Sequence, residues 1–458
     1  MSRDFTEGSI IKGIIILSTP IILANILQTV YQITDAYYVG QLGKEAVASI
    51  SLSFPIVFLF LSIGIGVGIA GSILVSQYKG KKDQKNIDFI ATQTLIISII
   101  IGLILSVVGI IISHLLIPLL SNDPIVINGA INYLFISFIG TTFIYIYNFF
   151  SSIMRGIGHT RIPLIIIICT ILLNFILDPL FINGGNIFGF VIPAQGVAGA
   201  AIATIITQGL SALIGLIILF RGKHGIHIRK DSLTPHIETI TKLIFIGLPS
   251  SIEFLSRSIN IIIVTSIVSI FGTIAIATIG IGGNLFNIAL MPTLGISLAV
   301  STIVGQNIGA KKHDRLEKTI KYGTIYSCTL MTLIGIIFFI FAKDIVTMFV
   351  PTEPELIIKA VEFIKILVFT FPFLGIQLSL IGAIRGSGNT KSAMNLSIFA
   401  LIVQGTLAII LSNFFGLIGI WFSYPIGTII MIIISYIDLK NQKWEDNNLI
   451  EKHNIGKK

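Results

Sequence analysis

The chain of 458 residues is strongly apolar: hydrophobic residues make up 54% of it, and its mean hydropathy is +0.96. Only 11% of the residues are charged, whereas a soluble globular domain carries roughly 25%. Residues 46–78, 89–122 and 124–154 contain no Asp, Glu, Lys or Arg, and each run exceeds the roughly 20 residues of a membrane-spanning helix. The composition excludes a soluble enzyme, a nucleic-acid-binding protein and a disulfide-stabilised secreted domain, and it predicts an all-α membrane protein.

The predicted elements in chain order are twelve transmembrane helices in two sets of six. The first set lies near residues 13–37, 47–77, 90–118, 130–153, 162–182 and 196–220, and the second near 243–268, 274–304, 322–344, 361–383, 392–413 and 416–437. The longest connector falls between the sets. We therefore predict an N-terminal lobe over 1–220, a cytoplasmic linker over 221–242, a C-terminal lobe over 243–440 and a cytoplasmic tail over 441–458.

The formal net charge of +9 is a topology signal, because the basic residues alternate along the chain. All but five of the 30 Lys and Arg fall in the termini and in alternate loops, including 79–85, 221–242 and 385–391. The exceptions are Lys44, Lys343, Lys359, Lys365 and Arg257. Positive residues favour the cytoplasmic side, which predicts a multi-pass protein of the cell (inner) membrane with both termini in the cytoplasm. Membrane lipids are expected partners, and nucleic acid is not.

The two sets of helices are related by an internal duplication. Pro20 and Pro249 match at an offset of 229 in the numbering, and so do Gly66 and Gly295, Gln77 and Gln306, and the segments VGQLG (39–43) and VSIFG (268–272). RGIGHTR (155–161) matches RGSGNTK (385–391) at an offset of 230, and GVAGAA (196–201) matches GLIGIW (416–421) at 220. The smaller last offset indicates an insertion of about ten residues, NGGNIFGFVIP, in the first half. Parallel repeats of this kind favour a transporter whose substrate binds between the halves.

Carboxylates at membrane depth are costly and indicate function. Asp35 lies four residues after Tyr31 and seven after Gln28, and Asp178 lies four after Asn174, so each set shares one helix face. With Thr204, these side chains offer oxygen ligands for Na⁺, or the carboxylates could hold a proton. The alternatives are a span-end position for Asp35, an end cap for Asp178, and interhelical hydrogen bonds for Asn174 and Thr204.

Three further residues are singled out within the spans. Glu253 and Arg257, at i and i+4, are interpreted as a structural ion pair in preference to an ion site. Pro20 predicts a hinge in the first helix, the alternative being a static kink. No catalytic motif or nucleotide-binding domain is present, so we predict no enzyme and no cofactor, with energy drawn from a gradient.

The sequence resembles the multidrug and toxic compound extrusion (MATE) family over essentially its whole length. The resemblance rests on TPIILANILQTVYQITDAYYVGQLG, the Q-x-x-G ends of the second and eighth spans, the paired RGxGxT loops, NFILDPLFI and GVAGAAIAT. It implies two pseudo-symmetric six-helix bundles in a V-shaped arrangement, exporting organic cations in exchange for Na⁺ or H⁺.

Within the family the sequence is most similar to the DinF-like branch. That resemblance implies a cation-coupling site, with Na⁺ as one candidate ion, at Asp35, Asn174, Asp178 and Thr204, and a substrate cavity lined by Gln28, Tyr31 and Asn148. The NorM-like branch has a second-lobe cation site. Glu253 matches one of its acidic residues, but Leu374 stands where the other would be.

We therefore predict a secondary active multidrug efflux transporter, acting as a monomer on small amphipathic cations. The alternative is a flippase for a lipid-linked precursor, which needs several intramembrane Arg or Lys where the sequence indicates only Arg257.

Overall fold

The computed structural model describes residues 4–187, 190–228, 233–351, 353–442 and 449, and nearly all of them are helical. The helices are α1 (Ile10–Gly40), α2 (Lys44–Gly80), α3 (Gln84–Leu120), α4 (Pro124–Gly156), α5 (Arg161–Asn183), α6 (Val197–Arg221), α7 (Ile237–Val268), α8 (Thr273–Gly309), α9 (His313–Ile340), α10 (Ala342–Phe349), α11 (Pro354–Leu367), α12 (Thr370–Gly386) and α13 (Thr390–Asn441). The tail predicted over 441–458 lies almost wholly outside the described residues.

Within the described ranges the helices supply twelve membrane spans. Ten helices are long and apolar enough to cross a membrane, and α11 with α12 forms one more span, bent by 47°. One of the ten, α13, has 52 residues and a length of about 78 Å, more than twice the thickness of a hydrocarbon core. Its backbone leaves the helical conformation at Gly416, so it supplies two spans. The prediction of twelve helices is confirmed.

The backbone carries the predicted duplication as well. Positive φ angles occur at matching positions in the two halves of the sequence repeat. Three of the matched pairs are glycines, which adopt such angles without strain, and one is a pair of lysines in turns. The pairs are Gly43 (107°) and Gly272 (91°), Lys82 (61°) and Lys311 (57°), Gly158 (86°) and Gly388 (101°), and Gly196 (56°) and Gly416 (58°). The same turns therefore end and begin corresponding helices in both halves.

The insertion in the first half forms a β-hairpin between α5 and α6. Its strands β1 (Gly185–Ile187) and β2 (Phe190–Ile192) are antiparallel, with Gly185 opposite Ile192. The second half has no counterpart of this segment in its sequence. The helices that correspond to α5 and α6 consequently meet directly at Gly416 within α13.

The chain divides into two compact units that do not coincide with its two halves. Unit 1 contains Leu23–Ser251, and unit 2 contains Asp4–Ile22 together with the described residues from Ile252 onward. The chain passes between units within α1 and within α7, shortly after Pro20 and shortly after Pro249. Each unit therefore includes the beginning of a first helix that the sequence assigns to the other half.

The segments that precede α1 and α7 are also held by helices of the other sequence half. Within unit 2, Phe5 N donates to Gln306 Oε1 (3.2 Å) and Lys312 Nζ donates to the Thr6 carbonyl (3.0 Å). Within unit 1, the segment before α7 is held by α3, since His236 N donates to Gln93 Oε1 (2.8 Å). Both connections fix the start of a first helix to a neighbour of the opposite sequence half.

Each unit has its own apolar core. In unit 1, the rings of Phe60 and Phe138 pack edge to face with centroids 4.8 Å apart. In unit 2, Phe363 and Trp421 pack at 4.1 Å. The most buried spans are α2 and α8, which the repeat pairs. Many apolar side chains of α3 and of the other spans remain exposed, as expected of helices that face lipid.

Candidate cation-coupling site

The candidate site lies in unit 1 and begins on α1. Tyr31 and Asp35 share a face of this helix, and the phenol of Tyr31 is buried. The Tyr31 hydroxyl is 2.6 Å from Thr204 Oγ1 on α6, a hydrogen bond in which either oxygen can donate. The Asp35 carboxyl lies near the Tyr31 hydroxyl. Asp35 is half-buried and stands more than one turn before the end of α1, inside the helix.

The second carboxylate comes from α5. Asn174 and Asp178 lie one turn apart, and both side chains are fully enclosed, with no exposed surface. Helix α5 continues beyond Pro179 to Asn183, so Asp178 occupies the body of the helix and is not its end cap. The Asp178 carboxyl lies near the Asp35 carboxyl, and the two groups interact electrostatically. Residues far apart in the chain are thus brought together into one polar cluster.

The cluster holds polar atoms that lack hydrogen-bond partners. They are Oδ1 of Asp35, both carboxyl oxygens of Asp178 and both amide atoms of Asn174. Two ionised carboxylates offer only acceptors to each other, and the Asn174 amide beside Asp178 does not reach standard hydrogen-bond geometry. Buried polar atoms are normally paired, so these oxygens are able to accept a bond from a further group.

The donor set fits a monovalent cation or a proton better than a tightly bound divalent metal. Oxygen ligands suit Na⁺, and two carboxylates in contact can hold one proton between them. Among the described residues, no group of three His, Cys, Asp or Glu side chains has the arrangement of a metal site. The cluster can therefore halve its negative charge by taking up one monovalent ion.

Tyr133 on α4 is a member of this cluster that the sequence reasoning missed. Its hydroxyl group is near enough to both Asp35 and Asp178 to interact with them electrostatically. Tyr133, Ser137 and Thr141 repeat every four residues along one face of α4. That polar stripe is the sequence signal that would have identified α4 as a fourth helix of the site, beside α1, α5 and α6.

Two predicted cavity residues lie apart from the carboxylates. Gln28 is partly buried on α1, two turns before Asp35. Asn148 is partly buried on α4, about 22 Å further along the helix axis than Tyr133. Pro20 is buried within α1, and α1 continues through it. The roles of these three residues in substrate binding and bending stay predictions.

The second half carries no carboxylates at the matching positions. Val264 matches Asp35 at the repeat offset of 229 and is buried in an apolar cluster of unit 2. Ala408, which the repeat places opposite Asp178, is buried in the same cluster. Leu374 on α12 is buried among apolar residues, as its side chain requires. The polar chemistry of the two halves is therefore different.

Glu253 and Arg257 form the expected ion pair in unit 2, with Arg257 Nη2 3.4 Å from Glu253 Oε1. Arg385 joins it, with Nη1 2.9 Å from the same oxygen. The prediction that Arg385 belongs to a cytoplasmic loop is wrong, since it lies in the last turn of α12 with a side chain only 1% exposed. The helix extends through Gly386, further than the sequence suggested, and the buried carboxylate of Glu253 holds the guanidinium inside.

Comparison with known proteins agrees with this architecture. The MatE family model matches twice, over residues 20–180 and 249–410, which are the two halves of the duplication. A probable multidrug resistance protein of Bacillus subtilis, YoeA, is 29% identical over 95% of both chains. A probable multidrug resistance protein of Thermotoga maritima, NorM, is 28% identical over 97% of this chain and 95% of its own.

The fold is that of solved MATE structures. A crystal structure of a MATE protein in complex with MaL6 superposes with a TM-score of 0.89 at 24% identity, and the match covers 98% of this chain and 99% of the other. The sequence motifs, the duplicated backbone and the family match lead to the same assignment. The chain is a multi-pass membrane protein that belongs to the MatE family of multidrug and toxic compound extrusion proteins.

Proposed function

We propose that this protein is a secondary active multidrug exporter, which expels small amphipathic organic cations in exchange for H⁺ or Na⁺. The family membership and the names of the relatives, both multidrug resistance proteins, support the transport of drugs. The proximity of the carboxyl groups of Asp35 and Asp178, with their unpaired oxygens, carries the proposal of ion coupling. The protein acts as a monomer in the cell (inner) membrane, with both termini in the cytoplasm and lipids around it.

The electrostatics of the carboxyl pair explain why it takes up an ion. Two ionised carboxylates about 4 Å apart repel by about 4 kcal/mol at an effective dielectric constant of 20. A proton shared between Asp35 and Asp178, or a Na⁺ ion held by their oxygens with those of Asn174 and Thr204, removes this repulsion. The ion-loaded site therefore carries one negative charge, whereas the empty site carries two.

This change of charge couples the ion to the drug. The empty, negative site attracts an amphipathic cation into the cavity that Gln28, Tyr31 and Asn148 line. When an external ion binds Asp35 and Asp178, the negative charge is halved and that attraction is weakened. A bend of α1 near Pro20 then narrows the cavity and expels the drug. Because drug and ion compete for the same negative charge, the protein exchanges one for the other.

Efflux from proteoliposomes tests the proposal. Purified protein is reconstituted with ethidium inside, and a pH gradient or a Na⁺ gradient is imposed in separate experiments. We expect one gradient to drive efflux in the wild type, and Asp35→Asn and Asp178→Asn to abolish it. The matched control is Asp344→Asn, which changes an exposed carboxylate on α10 and should transport normally. Gradient-driven efflux that persists in both site variants would refute the coupling role.

A further inference from the structure

The start of the chain is held by contacts that the transport scheme above does not use. Residues 4–8, which we call the N-terminal strap, precede α1 and belong to unit 2. Phe5 N donates to Gln306 Oε1 in the last turn of α8 (3.2 Å). The Phe5 ring is buried in an apolar cluster with Leu17 of α1 and Val304 of α8. The Q-x-x-G motif of the eighth span, which begins at the buried Gln306, therefore binds the strap.

Two cationic side chains of α9 and its cap complete the attachment of the strap. Arg315, in the first turn of α9, donates from Nη1 to the Gly8 carbonyl (3.1 Å) and from Nη2 to the Phe5 carbonyl (3.3 Å). Lys312, at the N-cap position, donates from Nζ to the Thr6 carbonyl (3.0 Å). Hydrogen bonds from charged donors are stronger than neutral ones, and the rigid guanidinium can hold two acceptors at once. The strap is thus bound along its length.

The corresponding segment of the second half is held by different chemistry. At the repeat offset of 229, Lys312 matches Asp83 and Arg315 matches Asn86, so neither cation has a basic counterpart. Asp83 instead caps α3, because its carboxylate accepts from Asn86 N (3.2 Å). The segment just before α7 is bound by the uncharged side chain of Gln93. The cationic attachment belongs to the repeat helix that carries the coupling acid, and its partner α7 has another.

The strap and the coupling acid lie on the two sides of the proline in α1. The part of α1 before Leu23 belongs to unit 2, and the part from Leu23 onward, with Asp35, belongs to unit 1. Pro20 removes a backbone hydrogen bond and allows the helix to bend near this crossing. A bend there displaces the part that carries Asp35 if the start of α1 is held. With a free start, the same bend would turn the first residues and leave the rest of the helix in place.

We propose that the N-terminal strap is a permanent anchor for α1, which Arg315 and Lys312 keep attached to unit 2 throughout transport. Ion binding at Asp35 and a bend near Pro20 then move the inner part of the helix and not its start. Arg315 is accordingly a positioning residue for the exchange. This inference rests on the proposed export function, and it adds the element that converts ion binding into movement of the cavity.

A covalent link between the strap and α9 tests whether the anchor stays attached. Glu7 Oε1 lies 3.7 Å from Lys312 Nζ, so Glu7→Cys with Lys312→Cys places two thiols for a short bifunctional reagent. The native Cys169 and Cys328 are replaced by Ser in this chain and in its parent. We expect the unlinked double variant to export ethidium about threefold more slowly than the parent, and the link to restore the rate to within about twofold. Loss of efflux on linking, with activity retained after a monofunctional reagent, would show that the strap must detach and would overturn the proposal.

Substitution of Arg315 separates positioning from binding and from folding. We expect Arg315→Gln to slow efflux about tenfold per folded protein, because two charge-assisted bonds are lost, with ethidium affinity and its dependence on H⁺ or Na⁺ within about twofold of wild type. Arg315→Lys should recover part of the rate, since it keeps the charge without the fork. The matched control is Lys318→Gln, which removes an exposed cation of the same helix and should leave efflux unchanged. Wild-type efflux in Arg315→Gln, or a parallel loss of ethidium binding, would overturn the proposal. Efflux by the wild type in the same vesicles tests the export function separately.

Discussion

The charge cluster of unit 2 makes a sharp prediction about stability. Replacing Glu253 by Gln leaves Arg257 and Arg385 without the carboxylate that they share, and Arg385 is only 1% exposed. Removing one partner of a buried ion pair costs about 3–5 kcal/mol, because the other charge stays buried and uncompensated. For a folding unit of about 200 residues, each kcal/mol lowers Tm by roughly 2–4 °C. We therefore expect the apparent Tm of Glu253→Gln to fall by about 6–20 °C.

Removing a cation from the same cluster should have a different effect. Arg257→Gln leaves the 2.9 Å pair between Glu253 and Arg385 intact and takes away the excess positive charge. Because Arg257 is partly exposed and its contact is longer, its loss should change stability by less than about 1 kcal/mol. The two substitutions thus distinguish a cluster of three side chains with a net charge of +1 from a simple ion pair of Glu253 with Arg257.

Thermal unfolding of the purified protein, followed by the loss of monodisperse protein on size exclusion after heating, measures both effects. Glu362→Gln is a matched control, since this carboxylate pairs with Lys359 at 3.5 Å on the exposed side of α11 and should contribute little. If Glu253→Gln has the same apparent Tm as the wild type, or if Arg257→Gln lowers the Tm more than Glu253→Gln does, the reasoning about the shared carboxylate is refuted.

Three smaller predictions concern a hydrogen bond in unit 1 and glycines in both units. Thr204→Val removes the 2.6 Å hydrogen bond to Tyr31 and should cost about 0.5–1.5 kcal/mol in thermal unfolding, with Thr204→Ser close to wild type. Gly66→Ala should destabilise by about 1–3 kcal/mol, because its new methyl group would overlap Ser251; unchanged thermal stability would contradict the close packing of α2 and α7. Gly280→Ala on α8 of unit 2 provides the contrast, since it meets no neighbouring atom and should stabilise by up to about 1 kcal/mol in the same melting assay.

The sequence was sufficient for much of the fold because its signals are strong and local. Uncharged runs longer than a membrane is thick define spans, and a constant spacing of landmarks such as Gly43 and Gly272 defines the repeat. The same logic applied to the site: a spacing of four placed Tyr31 beside Asp35 and Asn174 beside Asp178. What the structure added is the proximity of the two carboxyl groups, which come from different helices of unit 1.

The position of Arg385 and the role of Tyr133 were not predicted, because both depend on tertiary contacts. Arg385 is in a basic, glycine-containing segment that is typical of a loop, yet a carboxylate 132 residues away in the chain holds it inside the protein. Tyr133 is one tyrosine among 11 and gains its meaning from the acids that it faces. The exchange of the starts of α1 and α7 between units has no local sequence signal apart from the two prolines. It depends on which helices pack together, whereas helix propensity determines only where a helix forms.

That exchange has a consequence for how such a chain can be divided. A fragment ending in the linker near residue 228 would keep all of α1 but lose the start of α7 that completes unit 1, and the complementary fragment would lack the start of α1 that completes unit 2. Neither fragment contains all the helices of one unit. Two fragments made in one cell would have to exchange the starts of α1 and α7 to complete both units. A single ancestral six-helix chain would have met the same need by pairing with a second copy, as domain-swapped dimers do. In this protein both repeats belong to one chain, so the exchange is intramolecular.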